Sequence, residues 1–586
     1  MSLIYKFLDK KEKALVVFVL AMTLLQVILD SSIPVQTKKI TTLLKSTDVT
    51  ISSISQAGAI MLALALAAFA CAIVVGYCIA KVGTSVGTKI RDSIFSRILK
   101  YSLPEIGKFG VGSLITRCTD DINSIQTFIT NSVKPLVQAP LLTIIVVTRI
   151  SDLYSVWTAI TIIVVAVIVG MVIYIFAVAV PAVKGQYSYR DKLVRESNEH
   201  ISGIRVVQAY NAQEYQASRF KLFNSEMTKY ATISDKALST FMPFTVVMLY
   251  VMTMAVYITG AFHIQVVDVA NRVELFGDMT AFIFYVALLI TSVLSIVQVV
   301  LMFPSTMNSI KRISQVLNCN ETITDKDNAT DIEYAGGTIE LKNVSFKYPE
   351  SDENAITDIS FRVEKGETFA IIGNTGCGKT TLLNLIMRLY EVTDGEVLID
   401  GVNIKDYRLM DLRNRIGYVP QTSFLFAGTV DENIGYGENG RLKASFDAIV
   451  EAAKVGQADE FISQKEGGYH SEVSSGGSNF SGGQRQRLAI SRAICRDPEI
   501  YIFDDSFSAL DFKTDKILRK KLKEYAKDKT TIIVGQRIST VRDADTILVM
   551  NRGKVAGIGT HNELMESCDL YKEIALSQMS NEEAMR

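Results

Sequence analysis

A glycine-rich loop in the second half of the chain has the residue types and spacing of a phosphate-binding site. The apolar run 368–372 leads directly into Gly373-Asn374-Thr375-Gly376-Cys377-Gly378-Lys379-Thr380-Thr381, and an apolar helical pattern follows. Glycines allow backbone N–H groups to converge on phosphates at the N-terminus of a helix. Lys379 supplies a cation for the terminal phosphates, and the Thr380 hydroxyl can reach Mg²⁺. The loop therefore predicts a nucleoside triphosphate site.

Two adjacent aspartates follow a second apolar stretch, in the sequence YIFDDSFSALD at positions 501–511. The run 500–503 predicts a buried strand, and Asp504 stands at its carboxyl end, where a carboxylate binds Mg²⁺ through water. Asp505 follows directly, where many nucleotide-hydrolysing proteins have a glutamate. The two motifs have the separation expected on a βα scaffold, and together they predict a site for ATP and Mg²⁺.

The elements that carry these motifs form the soluble half of a chain of 586 residues, whose first half is dominated by apolar runs. Six runs are long enough to cross ~30 Å of hydrocarbon at a rise of ~1.5 Å per residue. They lie at about 14–33, 57–80, 130–149, 153–180, 240–263 and 279–303. Within the spans, Gln26, Gln138 and Gln298 either line a pathway or form hydrogen bonds between helices.

The positions of lysine and arginine predict the orientation of the spans. Four lysines precede the first span, and basic segments follow the second and the fourth, which places the N-terminus and these segments in the cytoplasm. Both segments are expected to continue the span helices. In the segment 197–220, Ile201, Ile204, Val207 and Ala209 fall near one helical face. That face suits either packing on a neighbouring helix or a rod that conveys motion to the soluble domain.

Charge and cysteine usage exclude some classes of function. The 61 basic and 61 acidic residues balance, so bulk charge gives no reason to expect a nucleic-acid partner. The seven cysteines contain no CxxC pair and no metal-like cluster with the four histidines, which indicates reduced thiols and no redox or metal chemistry at cysteine.

Between the two phosphate-site motifs stands NFSGGQRQR at 479–487. This segment resembles the signature sequence of ATP-binding cassette (ABC) proteins, and its distance from YIFDD is similar to that in the family. Six spans followed by one cassette resemble a half-size exporter of the type IV (type I exporter) fold, so the resemblance covers the whole chain. In that family two cassettes hold two ATP molecules between them, which implies a dimer.

The resemblance implies roles for individual residues. Those implied to contact ATP are Tyr348, Gly373, Asn374, Thr375, Gly376, Cys377, Gly378, Lys379, Thr380 and Thr381, with Ser481, Gly482, Gly483 and Gln484 serving the opposite site. Those implied to hold Mg²⁺ are Thr380, Gln421 and Asp504. Tyr348 resembles the aromatic residue that stacks on adenine. The loop SALD at 508–511 resembles a dimer contact, and the segments 110–117 and 208–214 resemble the coupling helices that dock on cassettes.

Three positions are assigned to catalysis: Gln421, Asp505 and Gln536. The family pattern has glutamate where this chain has Asp505, and histidine where it has Gln536. As the general base for the attacking water, aspartate is one methylene shorter than glutamate. Glutamine, unlike histidine, cannot become cationic or shuttle a proton. Because both changes fall in the same half-site, we expect this site to hold ATP and to hydrolyse it slowly. The signature is almost intact, with Phe480 replacing the usual leucine, which implies a partner subunit that carries glutamate and histidine.

These features predict a six-helix transmembrane domain with long cytoplasmic helix extensions, followed by an α/β P-loop ATP-binding cassette. The expected boundaries are 1–320 for the transmembrane domain, 321–336 for a linker, 337–576 for the cassette and 577–586 for a polar tail. The expected function is one subunit of a heterodimeric exporter, an ATPase-coupled translocase, in a bacterial cell membrane. Its substrate is expected to be an amphipathic small molecule, a lipid or a peptide.

Two other interpretations stay open from the sequence. One is a membrane-bound switch that binds ATP to regulate a partner without moving a substrate. The other is a homodimeric exporter that works slowly with aspartate as its base. The loop SEVSSGG at 471–477 adds a further difference, because Ser475 and Gly476 replace the charged pair of the exporter linker that it resembles.

Overall fold

A computed structural model describes residues 2–44, 50–151, 155–266, 268, 271–326, 336–349, 351–437 and 443–578. The chain divides into two compact units. Unit 1 comprises Met1–Ile98 and Gly112–Asn318, and unit 2 comprises Leu99–Val111 and Cys319–Arg586. The start of the fourth predicted span, most of the predicted linker and most of the predicted tail lie outside the described residues.

Helices form the first half of the chain. In chain order they are α1 (Ser2–Lys6), α2 (Lys10–Leu44), α3 (Ile51–Leu99), α4 (Leu103–Phe109), α5 (Val111–Cys118), α6 (Asp120–Ser151), α7 (Ser155–Ser202), α8 (Ile204–Ala209), α9 (Gln213–Val266) and α10 (Arg272–Leu317). In the described part of the chain, six helical stretches are long and apolar enough to cross a membrane. They contain the six predicted spans, apart from two undescribed residues at the start of the fourth.

The predicted continuation of the span helices beyond the membrane is confirmed. Helix α7 has 48 residues and α9 has 54, whereas about 20 residues suffice to cross the hydrocarbon core. At ~1.5 Å per residue, α9 is about 80 Å long. Long stretches of both helices therefore extend outside the bilayer.

The shared apolar face expected in the segment 197–220 does not form. The helix breaks at Gly203 and again near Asn211, whose φ of +51° is left-handed. Ile201 and Ile204 are exposed, at 72% and 45% of their full accessibility. Ile201 and Ile204 thus stay largely exposed within this chain, because two backbone breaks interrupt the periodicity that the sequence pattern assumed.

The segments predicted to act as coupling helices fall in different places. Residues 110–117 cross the boundary between the two units, and most of them belong to α5. The preceding helix α4 belongs to unit 2. Residues 208–214 contain the end of α8, a turn and the start of α9, all in unit 1. Docking of either segment on a cassette stays a prediction.

Unit 2 contains the strands β1 (Ile339–Phe346), β2 (Ile356–Val363), β3 (Thr368–Gly373), β4 (Asp394–Ile399), β5 (Val402–Asn403), β6 (Ile416–Val419), β7 (Gly428–Thr429), β8 (Glu472–Val473), β9 (Ile500–Asp504), β10 (Thr530–Val534), β11 (Thr546–Asn551) and β12 (Lys554–Gly559). Its later helices are α11 (Lys379–Ile386), α12 (Leu409–Asn414), α13 (Val430–Ile434), α14 (Phe446–Val455), α15 (Asp459–Ser463), α16 (Gly482–Cys495), α17 (Phe512–Tyr525), α18 (Ile538–Val541), α19 (His561–Ser567) and α20 (Asp569–Gln578).

The main sheet has six strands in the order β12-β11-β3-β10-β9-β6. Strands β6, β9, β10, β3 and β11 are parallel, and β12 is antiparallel at the edge. A second sheet has the order β2-β1-β4-β5. Every residue of β9 and β10 is buried, as expected for central parallel strands covered on both faces. The apolar runs in the sequence reflect this two-sided burial.

The topology brings the predicted motifs to one edge of the sheet. Strand β3 ends at Gly373, β9 ends at Asp504 and β10 ends at Val534, and these strands are neighbours. The carboxyl ends of parallel strands meet at the same edge, which is where ligands bind in open α/β sheets. The phosphate loop, the aspartate pair and Gln536 therefore start from adjacent positions.

Candidate functional site

The phosphate loop requires glycine at two positions for different reasons. A Cβ at Gly373 would lie 2.2 Å from the carbonyl oxygen of Met550, so a side chain there would clash with backbone. Gly378 is the N-cap of α11 and has a φ of +103°. Residues with a Cβ atom rarely adopt this backbone conformation. Both glycines shape the turn that leads β3 into the helix, as the sequence pattern predicts.

The ammonium group of Lys379 is buried over this loop. Its Nζ donates to the carbonyl oxygens of Gly373 at 2.7 Å and Asn374 at 2.9 Å. Only 8% of the residue is exposed. Buried charges are retained where they have a partner or a function. Lys379 is therefore a cation held beside the N-terminus of α11, where phosphate oxygens are favoured.

Asp504 lies next to the first turn of α11. The Thr380 hydroxyl donates to its carboxylate, with Oγ1 3.0 Å from Oδ2. Tyr418 lies near enough to Asp504 to lower the pKa of that carboxyl group slightly. Burial raises the pKa of Asp504, and the charge of Asp505 adds to the effect, although the hydrogen bond from Thr380 opposes it. The sequence pattern gave no indication of Tyr418, which lies on β6, three residues before Gln421.

The carboxylate of Asp505 joins the two other residues assigned to catalysis. Its Oδ2 accepts hydrogen bonds from Nε2 of Gln421 at 3.3 Å and from Nε2 of Gln536 at 3.1 Å. Burial raises the pKa of Asp505, while the hydrogen bond from Gln421 lowers it. The backbone of Asp505 is left-handed, with a φ of +46°. Three strands thus converge on one carboxylate at the edge of the sheet.

Tyr348 lies beside the same helix. Its hydroxyl shares a hydrogen bond of 2.9 Å with Oγ1 of Thr381. Its ring packs edge-on against Phe346 and Tyr390, with centroids 4.8 Å and 5.3 Å away. Tyr348 therefore belongs to an aromatic group next to the phosphate loop, and its stacking on adenine stays a prediction.

The signature segment forms the N-terminus of α16. The Ser481 hydroxyl accepts from the backbone N–H of Gln484 at 3.3 Å, and the side chain of Gln484 accepts from the N–H of Ser481 at 3.0 Å. This reciprocal capping box starts the helix. A Cβ at Gly482 would meet nothing within 4 Å. Among the described residues, no hydrogen bond joins 481–484 to the loop 373–381.

Phe480, which departs from the signature pattern, is buried. Its ring packs against Phe461 at 6.3 Å between centroids, and Nζ of Lys465 lies 4.2 Å from the ring centre. The replacement of leucine by phenylalanine is therefore accommodated in the core beneath α16. The capping geometry of Ser481 and Gln484 is formed beside it.

Comparison with known proteins agrees with this arrangement in both halves of the chain. The family model for the ABC transporter transmembrane region matches residues 16–301, and a second model, for the ABC transporter, matches residues 356–508. An uncharacterized ABC transporter ATP-binding protein of Mycobacterium tuberculosis is 33% identical over 528 residues, which is 90% of this chain and of that protein. One from Bacillus subtilis is 33% identical over 489 residues, covering 83% of this chain and 82% of its own.

A solved structure has the same fold. A bacterial Atm1-family ABC exporter with ATP bound aligns with a TM-score of 0.82 at 23% sequence identity, over 98% of this chain and 100% of its own. The fold class predicted from the sequence is confirmed by this likeness and by the family matches. Since the matches extend from the first membrane span to the aspartates at the edge of the sheet, this chain belongs to the ABC transporter family, as an integral-membrane protein with one transmembrane region and one cassette.

Proposed function

We propose that this chain is one subunit of an ATP-driven heterodimeric exporter, and that its own ATP site binds nucleotide but hydrolyses it slowly. The observation that supports this most directly is the pairing of Asp505 with Gln421 and Gln536, because both amides donate to the same carboxylate oxygen. A general base needs a free lone pair directed at its water. Here the base candidate is short and is engaged by two neutral donors.

The residues at the sheet edge fit ATP and Mg²⁺. Thr380 and Asp504 place a hydroxyl and a carboxylate together, and hard oxygen ligands of this kind suit Mg²⁺. Gln421 would add an amide oxygen, and Lys379 would bind the terminal phosphates. When bound, Mg²⁺ neutralises charge on the phosphates. The raised pKa of Asp504 fits this role, because a buried carboxylate is stabilised by a cation.

Slow hydrolysis follows from the chemistry of two side chains. A displacement of ~1 Å in a catalytic group can cost about 100-fold in rate, or about 2.7 kcal/mol of barrier. Asp505 is one methylene shorter than glutamate. Gln536 can donate a hydrogen bond to a phosphate oxygen, but it cannot carry a positive charge. Binding by Lys379 and Asp504 does not depend on either change.

The signature segment supports a dimer with a different partner. Ser481 and Gln484 cap α16 without a hydrogen bond to the described phosphate loop of the same chain, and the space beside Gly482 is open. We infer that this helix end completes the ATP site of a second half-transporter. A partner with glutamate and histidine would then hold the faster site. Closure of both cassettes on ATP would drive alternating access in the membrane.

The test is to follow the fate of photoreactive ATP in the complex. The chain would be purified from its native membrane with its co-purifying subunit, and 8-azido-ATP labelled in the base would be crosslinked at intervals. We expect triphosphate to persist on this chain while diphosphate accumulates on the partner. The variant Lys379→Ala should lose its own label and serves as the control. Equal conversion on both subunits would refute the asymmetric site.

A transport assay distinguishes a regulatory switch from an exporter. A regulatory switch would change conformation with ATP but would move no amphipathic compound into everted vesicles. We expect ATP-dependent accumulation, because the chain has the transmembrane region of an exporter-type ABC protein.

A further inference from the structure

An acidic side chain lies within the first membrane span, where the sequence reasoning singled out only Gln26. We propose that Asp30 and Gln26 on α2 form the cation-binding part of the substrate site, and that the exported compound is an amphipathic organic cation. This inference rests on the proposed transport function and narrows its substrate class. It is carried by the hydrogen bonding, burial and charge around Asp30.

The position of Asp30 makes a purely incidental charge costly. It lies inside the span 14–33 of α2, and it is half-buried within this chain. Ionisable side chains within membrane spans are rare, and they face partners, bundle interiors or water-filled cavities rather than lipid. The carboxylate of Asp30 therefore requires a compensating donor or cation.

The donor that this chain supplies is weak. Nε2 of Gln26 donates to Oδ2 of Asp30 at 3.4 Å, a long hydrogen bond from a neutral group. Gln26 itself is 93% buried, since only 7% of it is exposed, and in the described part of the chain its Oε1 has no hydrogen-bond partner. Asp30 and Gln26 thus present two adjacent acceptors with unused capacity. A protonated amine or another N–H cation would satisfy both.

The counter-charge that this chain supplies near Asp30 makes no direct contact with it. Lys134 on α6 acts electrostatically on Asp30, but among the described residues it forms no ion pair or hydrogen bond with it. The pair is therefore loose. A cationic group that entered between the helices would compete with Lys134 for the same carboxylate, so binding would replace one counter-ion by another without leaving Asp30 uncompensated.

The surroundings of the charge are apolar on one side. Val27, one turn from Asp30, belongs to a buried cluster with Leu142, Val146 and Tyr285. The Tyr285 hydroxyl donates to the backbone carbonyl of Ser31 at 3.3 Å, which fixes α10 against α2 at this level. A carboxylate at the border of an apolar wall recognises a compound that has both an apolar body and a cationic group.

Direct binding tests the inference without requiring hydrolysis or transport. The full chain with its co-purifying subunit would be placed in lipid nanodiscs, and fluorescence anisotropy would measure binding of rhodamine 6G, an amphipathic cation with N–H donors, and of Nile red, which is neutral. For Asp30→Asn we expect rhodamine 6G affinity to fall about tenfold, the value of one charge-assisted hydrogen bond. Nile red affinity should not change.

The opposite variant distinguishes recognition from a structural pair. Lys134→Met removes the competing cation, so rhodamine 6G affinity should rise. Asp191→Asn, an exposed site on α7 outside the spans, should change neither probe. Three results would each overturn the inference. They are unchanged rhodamine 6G affinity in Asp30→Asn, loss of binding of both probes in Asp30→Asn and in Lys134→Met, and no saturable rhodamine 6G binding to the wild type. Photolabelling with 8-azido-ATP in the same samples reports the ATP site separately.

Discussion

Asp504 carries a buried charge that the described side chains compensate only in part. Thr380 donates a hydrogen bond to it, yet burial and the adjacent Asp505 keep its pKa above the usual value. A carboxyl group with a raised pKa holds its proton more tightly in the folded chain than in the unfolded chain. Its ionisation therefore costs stability as the pH rises past the unfolded pKa, and this cost is present at pH 7.

Replacing this carboxylate should separate stability from binding. Asp504→Asn keeps the size of the side chain and removes the charge, so without nucleotide the thermal midpoint at pH 7 should rise by about 2–4 °C, equivalent to about 1 kcal/mol for a domain of this size. The further rise that Mg²⁺ and ATP give to the wild type should disappear. Scanning fluorimetry of the full chain in detergent measures both effects. A variant that kept the Mg²⁺-dependent rise would contradict the assigned role.

Asp505 and Gln536 should respond to restoration of the family residues. Asp505→Glu with Gln536→His extends the base and supplies a group that can carry a proton, so hydrolysis at this site should increase by up to about 100-fold. The readout is release of phosphate from the purified complex. Asp505→Glu combined with Asp504→Asn is the matched control and should give no gain. An unchanged rate in the double variant would count against the role of these two residues.

At the scale of elements, α4 is tied to the segment that follows α10 by one buried carboxylate. Glu105 accepts hydrogen bonds from the backbone N–H of Ser102 at 2.8 Å, from the Ser102 hydroxyl, and from the backbone and hydroxyl of Thr322 at 3.0 Å and 2.6 Å. Burial alone would raise the pKa of Glu105, but these hydrogen bonds outweigh it and lower the pKa. Glu105 therefore caps helix α4 and also joins it to Thr322, a residue far away in the sequence but in the same unit 2.

This contact should be sensitive to acid. Glu105→Gln replaces an oxygen acceptor by a donor and leaves N–H or O–H groups unsatisfied, which should cost about 1–3 kcal/mol at pH 7. Because the pKa is lowered on folding, the stabilisation is present above the unfolded pKa and is lost as the pH falls through the folded pKa. The thermal midpoints of wild type and variant should therefore converge in acid. Glu199→Gln, on the exposed end of α7, is the control, and a constant difference at all pH values would contradict the prediction.

Elements with strong local patterns could be predicted from the sequence. The six spans lie in long helices, and the loop between β3 and α11 forms as expected, because apolar periodicity and glycine spacing are local properties. Strand order also makes a meeting of Asp505 with Gln536 reasonable, since β9 and β10 are adjacent. The amide contacts themselves could not be predicted, because they depend on the left-handed backbone at Asp505.

Contacts between distant parts of the chain could not be predicted from the sequence. Glu105 and Thr322 are separated by 217 positions, and no period or spacing relates them. Asp30 was overlooked because one charge hardly changes the hydropathy of a long apolar run. The break at Gly203 was missed because a helical pattern extends across it. In each case tertiary packing or a single backbone conformation decided the outcome.

At the scale of the whole molecule, the chain contains two unlike compact units and one set of ATP-site motifs. Its phosphate loop and its signature are not joined by a hydrogen bond in the described chain. Under the proposed function, a second cassette completes the site. If that cassette came from a second copy of this chain, both sites would contain Asp505 and Gln536, and neither would hydrolyse ATP quickly.

The proposal that this subunit carries the slow site is tested most directly by comparing ATP turnover by the isolated chain with ATP turnover by the complex. The full chain, purified without its co-purifying subunit, should bind ATP and Mg²⁺ while releasing phosphate at about one-hundredth of the rate of the complex, as expected for a misplaced base. Lys379→Ala sets the background. Robust hydrolysis by the isolated chain, removed by Lys379→Ala and equal to that of the complex, would contradict the proposal that this subunit carries the slow site.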